Sequence, residues 1–500
     1  MAENRAAGEA PMDEATRWRV LMVLLATMFM SLVGVSIVNV VLPAIQNTLG
    51  ASESDIQWVL SGYALTFGVV LVAAGRAGDV FGRGAIFLSG LVIFTLSSIL
   101  AGFAPDATSL NIARFIQGLG SGLLNPQVLG MIQQYFHGPE RGRAYGALGT
   151  VVGFSVAIGP VLGGFLVQGL GEDLGWRSTF LVNVPIGLLA IVLALRWLPR
   201  PLFRKLQVPA SDPSDAAAAA VVKHRHGVDL DPVGSIMLGL SILALMLPFV
   251  QGRETPWTWW LLPAAFALLG GWILWEKNYK RRGREPMVDL QLFKIRSFTL
   301  GNIIAGLYFM GVTSVWVLVA VYVQQGQGLT ALQAGMVGLP AALASAASSH
   351  IAGKYVVQFG RRLVIWGILS ALVGLVSTIA IVELNAQDQV SIWWLLLTLS
   401  FIGVAQGSII SPNQALTLMD VPVENSGSAG GLMQTSQRIG TAVGIAVITA
   451  IFYGTQHLTG EWNTAMTVGF IAITVMVVLT LVVAIIDQRK GHGIATVVGH

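Results

Sequence analysis

Apolar blocks of about twenty residues recur along the whole chain, and this spacing restricts the fold more than any other feature of the sequence. A helix of roughly 20 residues crosses the hydrocarbon core of a bilayer, which is about 30 Å thick. Hydrophobic residues make up 54% of the chain and charged residues only 11%, far from the composition of a soluble globular protein. The sequence therefore predicts an all-α integral membrane protein with many spans.

Loops between the apolar blocks divide the chain into fourteen predicted transmembrane helices, grouped as six, two and six. A polar, Ala-rich stretch after the sixth block has no apolar face to bury and is predicted to be a linker. The predicted segments are a cytosolic tail (1–17), an N-terminal six-helix half (18–198), a cytosolic linker (199–230), two extra transmembrane helices (231–276), a basic cytosolic loop (277–296), a C-terminal six-helix half (297–486) and a cytosolic C-terminal tail (487–500).

The positive charges lie almost entirely on one side of these predicted spans. Of the 29 Lys and Arg residues, only Arg177 and Arg253 fall on the opposite side, and only Arg114 and Arg438 fall inside spans. Cytoplasmic loops carry the excess of Lys and Arg, so both termini are predicted to be cytosolic, in a plasma or bacterial inner membrane. Because the cations sit between spans and not on one soluble face, the net charge of +4 does not indicate nucleic-acid binding.

A short repeat relates the two predicted halves. The stretch GRAGDVFGR follows the second span, and GKYVVQFGR follows the tenth with the same spacing of glycine and arginine. Transporters are often built from such repeats, with the substrate site at their interface near the bilayer midplane. The sequence thus predicts two pseudo-symmetric halves, whose matching residues are Gly75, Gly82 and Arg83 in the first half and Gly353, Gly360 and Arg361 in the second.

Several motifs resemble those of the major facilitator superfamily. The pattern Gly-x-x-Gly-Asp-x-x-Gly-Arg at 75–83, which includes Gly78 and Asp79, resembles its signature between the second and third spans. The glycine-rich fifth span GTVVGFSVAIGPVLGG resembles the motif of its exporters, although generic helix packing also uses small residues. Longer stretches such as GWRSTFLVNVPIG resemble the fourteen-helix drug:proton antiporters of the EmrB/QacA type. The exporter-like motif contains Gly149, Gly153, Gly159, Pro160, Gly163 and Gly164.

This resemblance implies a monomeric secondary transporter, surrounded by membrane lipids, that exports hydrophobic or amphipathic compounds by alternating access. Drugs are the usual substrates of this family, and protons are the implied coupling ion. The predicted interior charges, two arginines without an acid, favour lipids or anionic amphiphiles instead. In the family, the carboxylate equivalent to Asp79 holds the cytosolic ends of the two halves together. Arg114, in NIARFIQGLGSG, resembles the family's buried arginine, which is implicated in proton or substrate coupling.

An expected acid is missing from the predicted membrane region. Family members commonly carry an acidic residue in the first span, and Gly34 stands at that place here. Proton antiport usually needs a buried carboxylate that gains and loses a proton. Three explanations remain open: Asp79 or another boundary acid serves, coupling differs or is absent, or Gly34 is a lineage-specific or engineered replacement. The alternative function is a lipid or anionic-amphiphile transporter or facilitator without classical proton antiport.

The remaining candidates are weaker. His350 is interpreted as a helix-end residue. No P-loop, metal-binding His-Glu helix, Gly-x-Ser-x-Gly or catalytic carboxylate pair is found, so neither an enzyme nor a cofactor or metal is expected. The residues proposed to line an apolar substrate cavity, which helix packing would also explain, are Asn39, Tyr63, Phe154, Tyr308, Trp316 and Gln434.

Overall fold

A computed structural model describes residues 12–200, 202, 231–252 and 255–490. Most of the predicted linker at 199–230, and most of the two predicted tails, lie outside these residues. Six side chains within the helices also lie outside the description, namely those of Asn39, Glu53, Ala157, Ala331, Leu332 and Lys490. The cavity role predicted for Asn39 therefore cannot be placed.

The described chain is helical throughout, with sixteen α-helices joined by short turns. Their bounds are α1 (Glu14–Ser36), α2 (Val38–Leu49), α3 (Glu53–Phe81), α4 (Arg83–Gly102), α5 (Ala107–Tyr135), α6 (Gly138–Leu170), α7 (Glu172–Leu181), α8 (Asn183–Trp197), α9 (Pro232–Gln251), α10 (Leu261–Arg281), α11 (Arg296–Val321), α12 (Ala331–Phe359), α13 (Arg361–Ala386), α14 (Leu395–Leu418), α15 (Ser426–Thr459) and α16 (Trp462–Lys490).

Twelve segments of the described chain are long and apolar enough to cross a membrane. The helices α5 and α12, which correspond to the predicted fourth and tenth spans, are not among these twelve although each contains 29 residues. The interior face of α5 carries buried polar side chains, including Arg114, Gln117 and Asn125, which lower its apolar content. The fold is therefore all-helical and multi-pass, with two further long helices packed among the twelve apolar segments.

Several helix ends differ from the predicted spans. The predicted N-terminal half begins at residue 18, whereas its first helix begins earlier at Glu14, is interrupted at Ile37 and continues as α2 to Leu49. The predicted basic loop at 277–296 begins inside α10, which runs to Arg281. Hydropathy marks only the apolar part of a helix, whereas capping groups such as the side chain of Asp13, which accepts from the Thr16 amide, extend the helix into polar sequence.

Two halves of the bundle meet along two seams. Helices α1–α8 form the first half and α11–α16 the second; α3 packs against α15 along one seam, and α6 packs against α12 along the other. The pair α9–α10 lies against the first seam, because α9 contacts both α3 and α15. An apolar cluster that includes Leu65, Leu238 and Ile242 fixes this pair in place. The two extra helices therefore cover only one of the seams.

The repeated glycines occupy equivalent places on the two seams. A Cβ atom added to Gly75 would lie 2.2 Å from the carbonyl oxygen of Gly427 across the α3–α15 seam. A Cβ atom added to Gly353 would lie 2.3 Å from the Cα atom of Gly146 across the α6–α12 seam. Both repeats then turn at a glycine with positive φ, 105° at Gly82 and 53° at Gly360.

Candidate functional site

Asp79 joins the two halves at one end of the bundle. Its Oδ1 atom accepts from the Gly427 amide at 3.0 Å, and its Oδ2 atom accepts from the amide and the hydroxyl of Ser428, both at 2.9 Å. These donors belong to the first turn of α15, where the helix dipole favours a negative charge. Asp79 of the first half is thus held by the start of a helix in the second half.

Arg83 completes this contact. Its Nη2 atom lies 2.8 Å from Oδ1 of Asp79, and both side chains are only 2% exposed. The same guanidinium donates to Gln134 Oε1 at 2.9 Å and to the carbonyl of Val423 in the second half. We call Asp79, Arg83, Gly427 and Ser428 the latch, and the end of the bundle where they lie the latch end. Both oxygens of Asp79 are occupied here by several donors.

Contacts between the halves continue from the latch to the middle of the bundle. On the α3–α15 seam, Gly431 packs against the backbone of Leu71. On the α6–α12 seam, the Thr150 hydroxyl donates to the carbonyl of Ala346 at 3.2 Å, and Gly153 packs against Ser345. The halves are therefore held together at about the level of the helix midpoints as well as at the latch end.

Other faces of α6 and α15 pack against helices within their own halves. A Cβ atom on Gly159 of α6 would lie 1.9 Å from the Ser36 hydroxyl oxygen, so this glycine packs against α1. A Cβ atom on Gly444 of α15 would lie 1.8 Å from the carbonyl oxygen of Met310, and Gly440 packs against the backbone of Gly306 in the same way. The contacts described here thus close the latch end and leave the far ends of these helices engaged within each half.

The predicted exporter motif divides between two interfaces. Gly149 and Gly153 face Ser349 and Ser345 of α12, whereas Gly159 and Gly163 face Ser36 and Ile37 of the first half. Pro160 lies inside the helix between them, and a Cβ atom on Gly164 would meet nothing within 4 Å. Four of the glycines therefore allow close backbone approach, and the sixth position of the motif does not require it.

Arg114 is buried among partners that satisfy it. Its Nε atom donates to the Val59 carbonyl at 2.8 Å, and Nη1 donates to Gln117 Oε1 at 2.6 Å. The guanidinium carbon lies 4.4 Å from the ring centroid of Tyr63 and 5.8 Å from that of Phe180. Only 1% of Arg114 is exposed. This arginine links α3 and α5 inside the first half.

A hydrogen-bond network that the sequence did not predict lies beside Arg114. The Tyr63 hydroxyl donates to Ser121 Oγ at 2.8 Å, and Ser121 Oγ is 2.5 Å from Ser31 Oγ. Asn125 donates to the Ser121 hydroxyl at 3.1 Å and to the Ser31 hydroxyl at 3.3 Å. The signal that could have identified it is the pair of polar residues at 121 and 125, one helix turn apart in an apolar span.

Arg438 has a different environment. It lies near the middle of α15 on the side that faces α3, and its guanidinium carbon is 4.4 Å from the ring centroid of Phe67. Phe67 in turn stacks on Tyr63, with ring centroids 6.0 Å apart. Within the described chain, the Arg438 guanidinium makes no hydrogen bond or ion pair, and the side chain is only partly buried. Arg114, Tyr63, Phe67 and Arg438 therefore form a continuous cation–aromatic row that crosses from the first half to the second.

Gly34 faces a space that could hold a side chain. A Cβ atom added there would lie 3.5 Å from Phe94 and 3.7 Å from Asn183 Nδ2, which are ordinary contact distances. Asn183 is 1% exposed, and neither its amide nitrogen nor its amide oxygen has a hydrogen-bond partner. The position at which the family commonly has an acid is thus beside an unpaired buried amide.

The proposed cavity residues separate into buried and open positions. Tyr308 is fully buried within the second half, and Tyr63 and Gln434 are 3% and 7% exposed, so none of these three faces a wide opening. Trp316 is half-buried and packs near Gly338, while Phe154 is 45% exposed and stacks on Phe29. His350 is exposed on α12 and does not join the interior charges.

The second copy of the repeat does not form a second latch. Val357 occupies the place that corresponds to Asp79, so the second half has no acid there. Arg361 instead donates to the Ser297 carbonyl at 3.2 Å and pairs with Asp487 near the end of α16. This cluster joins helices of the second half alone, and the latch is therefore asymmetric. No group of three metal-binding side chains occurs in the described residues.

Comparisons with known proteins agree with this architecture. The sequence profile of the Major Facilitator Superfamily matches residues 24–445. The probable actinorhodin transporter of Streptomyces coelicolor is 33% identical over 456 residues, which cover 90% of this chain and 75% of that protein. The tetracenomycin C resistance and export protein of Streptomyces glaucescens is 28% identical and covers 86% of this chain and 75% of its own length.

Solved structures support the same fold. The human organic anion transporter MFSD10 superposes with a TM-score of 0.65 over 94% of this chain and 99% of its own, at 13% sequence identity. At this identity the likeness concerns the fold alone.

Proposed function

The chain belongs to the major facilitator superfamily, and on that premise we propose that it exports hydrophobic or amphipathic compounds by alternating access. It is a multi-pass membrane transporter and not an enzyme. The observation that carries the proposal is the latch, a small set of polar contacts that joins the two halves at one end of the bundle. Opening the latch end requires these few polar contacts to break, so the halves can rock about a central site.

We assign the chain to the fourteen-helix antiporter branch, with α5 and α12 as the spans additional to the twelve apolar segments. Both helices are 29 residues long, and the buried polar side chains of α5 have protein partners, as the membrane interior requires. In this proposal α9 and α10 are the two inserted spans, both termini are cytosolic, and the latch end faces the cytosol. Relatives named for drug resistance and export support the direction of transport.

Proton coupling is the family default that we retain for the proposal, although no acid lies at Gly34. Asp79 serves this role only if the latch opens, because its two oxygens hold Arg83, Gly427 and Ser428 in this conformation. The second candidate function, transport of anionic amphiphiles or lipids without proton antiport, is favoured by the unpaired guanidinium of Arg438.

Alternating access can be tested with a pair of introduced cysteines, because the natural chain has none. A Cβ atom on Gly430 would lie 3.2 Å from Cβ of Leu129, so L129C/G430C places two thiols across the seam between α5 and α15. Disulfides join Cβ atoms about 3.5–4.5 Å apart, so only a small adjustment is needed. Oxidation is expected to stop substrate uptake into inverted vesicles, which corresponds to export from the cell, and reduction is expected to restore it.

A matched pair within one half provides the control. A Cβ atom on Gly122 would lie 3.1 Å from Cβ of Val70, so V70C/G122C joins α3 and α5 inside the first half. Its oxidation is expected to leave export intact, because these helices move together. Full export by the oxidised L129C/G430C pair would show that the halves need not separate at this end and would refute the proposal.

Coupling is tested separately with purified protein in proteoliposomes. Uptake of a lipophilic dye is compared with and without an imposed pH difference. An antiporter concentrates the dye against its gradient and moves protons in step, whereas a facilitator only equilibrates it.

A further inference from the structure

The two interior arginines differ in what their charges do for the protein. Arg114 donates to Val59 and Gln117 and lies between two aromatic rings, so its charge is satisfied inside the first half. Arg438 contacts the face of Phe67, and no acceptor within the described chain takes a hydrogen bond from it. A guanidinium carries five N–H donors, and a cation–π contact satisfies none of them.

An arginine without an acceptor is costly in the middle of a membrane bundle. Charged side chains there usually pair with one another, with carbonyls or with a transported group. The acid on the same seam, Asp79, lies about three helical turns away at the start of α15 and is already bound there by Arg83, Gly427 and Ser428. The missing acceptor is therefore not supplied by the latch.

Arg438 lies on the side of α15 that faces the first half. Gly427 and Gly431, on the same side of α15, press against α3 closer to the latch end. Two turns further along, Arg438 reaches Phe67 from the same side of α15, whereas Gly440 and Gly444 pack against α11 on the opposite side. The partly exposed side chain of Arg438 therefore lies between the two halves, beside the stacked rings of Phe67 and Tyr63.

We propose that Arg438 binds the anionic oxygen group of an amphipathic substrate, with Phe67 as the apolar surface beside it. This inference rests on the proposed function and narrows its substrate class to compounds that combine an apolar body with a carboxylate, phenolate, sulfonate or phosphate. Anionic groups with two adjacent oxygens match the fork of a guanidinium, and such charge-assisted bonds strengthen where water is scarce. The substrate's anion supplies the acceptor that the chain lacks.

Equilibrium binding of two matched probes tests this site without any gradient. Anthracene-9-carboxylate and 9-anthracenemethanol share an aromatic body and differ in charge, and each is titrated into protein in phosphatidylcholine nanodiscs. The wild type is expected to bind the carboxylate more tightly. Arg438→Gln is expected to weaken carboxylate binding by about tenfold and alcohol binding by less than about twofold, whereas Arg438→Lys retains part of the preference.

Arg489→Gln, which removes an exposed cation from α16, is the charge control and is expected to leave both affinities unchanged. Nanodiscs that also contain phosphatidylglycerol separate two sources of the anion. Competition by this lipid identifies a lipid phosphate as an occupant, and no competition identifies a soluble amphiphile; both agree with an anion site at Arg438.

Equal loss of both probes in Arg438→Gln, or no loss of either, would overturn the proposal. Should that variant not fold, wild-type protein that binds the alcohol as tightly as the carboxylate overturns it as well. Because no transport is measured, an anion-selective site in a protein that fails the vesicle assays would refute export and keep the site. Export by a protein that binds both probes equally would support the proposed export and refute the anion site.

Discussion

Asp79 and Arg83 form a buried ion pair whose partners come from both halves, so the latch depends on single charges. Asp79→Asn removes the negative charge and leaves Arg83 uncompensated at 2% exposure. Removing one member of a buried pair typically costs about 3–5 kcal/mol. We expect the closed latch end to lose population, which the rate of L129C/G430C disulfide formation reports as a decrease of at least about tenfold.

Asp106→Asn is the matched control, because Asp106 caps α5 at the far end and asparagine caps equally well. Its cross-linking rate is expected to equal that of the parent pair. An unchanged rate in Asp79→Asn would mean that the glycine contacts of the seams, and not the ion pair, hold this end closed.

Gly34→Asp would restore the acid that the family commonly has. The side chain fits, because the nearest atoms to its Cβ would be Phe94 at 3.5 Å and Asn183 Nδ2 at 3.7 Å, and the carboxylate could accept from that unpaired amide. We expect the variant to fold and to make dye transport in proteoliposomes several-fold more dependent on an imposed pH difference. Gly34→Asn has the same shape without a titratable group and should respond as the wild type does.

If Gly34→Asp and Gly34→Asn respond alike, the acid at this position does not provide coupling. A wild-type response as large as that of Gly34→Asp would instead mean that another acid, such as Asp79, already serves.

The sequence predicted which interior residues are charged but not what each charge contacts. Arg114 and Arg438 look equivalent as cations in apolar spans. The guanidinium of Arg114 nevertheless donates hydrogen bonds, whereas that of Arg438 has no acceptor within the described chain. In an all-apolar span, helical periodicity does not separate a packing face from a cavity face, so Tyr308 was proposed for the cavity although it is fully buried. The motif around Asp79 was predictable because its glycines and arginine occur at short, fixed intervals within residues 75–83.

At the scale of helices, the seam glycines act through backbone contact. A methyl group on Gly353 would lie 2.3 Å from the Gly146 Cα atom, and backbone atoms cannot yield as a flexible side chain does. We expect Gly353→Ala to lower the apparent Tm by several degrees and to reduce export strongly, since the α6–α12 seam must widen.

Gly335→Ala on the same helix is the matched control, because a Cβ atom there meets nothing within 4 Å. Alanine is favoured over glycine in a helix by about 0.5–1 kcal/mol, so this variant should be as stable as the parent or slightly more so. Equal melting temperatures for the two variants would contradict the close seam contact.

The order of the long helices was largely predictable, whereas helix number and helix ends were not. Apolar length predicted the long helices from α3 to α16, but the break at Ile37 and the separate helix α7 have no hydropathy signal. Both occur within continuous apolar or mixed sequence, where the position of a break depends on packing against neighbouring helices.

The whole molecule has a twofold pattern that the inserted hairpin breaks. The seams α3–α15 and α6–α12 are equivalent by the repeat, yet α9 covers only the first, and Arg76 of α3 pairs with Glu285 in the loop after α10 at 2.8 Å. The repeat could be predicted from two nonapeptides. The choice of seam could not, because it depends on the shape and apolar surface of helices distant in sequence, such as Val69 against Gly239.

The charge bias predicts that the latch end faces the cytosol, because all Lys and Arg residues except Arg177, Arg253, Arg114 and Arg438 fall on the predicted cytosolic side of the spans. Single cysteines in this cysteine-free chain test it directly. Ser391→Cys lies in the exposed turn between α13 and α14 at the far end, and Arg282→Cys lies in the exposed loop after α10 at the latch end. In intact cells an impermeant maleimide should label only Ser391→Cys, and permeabilised cells should label both. Labelling of Arg282→Cys alone in intact cells would show that the topology is the reverse of the predicted one. The latch would then lie on the outer side of the membrane, and the conformation described here would be open toward the cytosol.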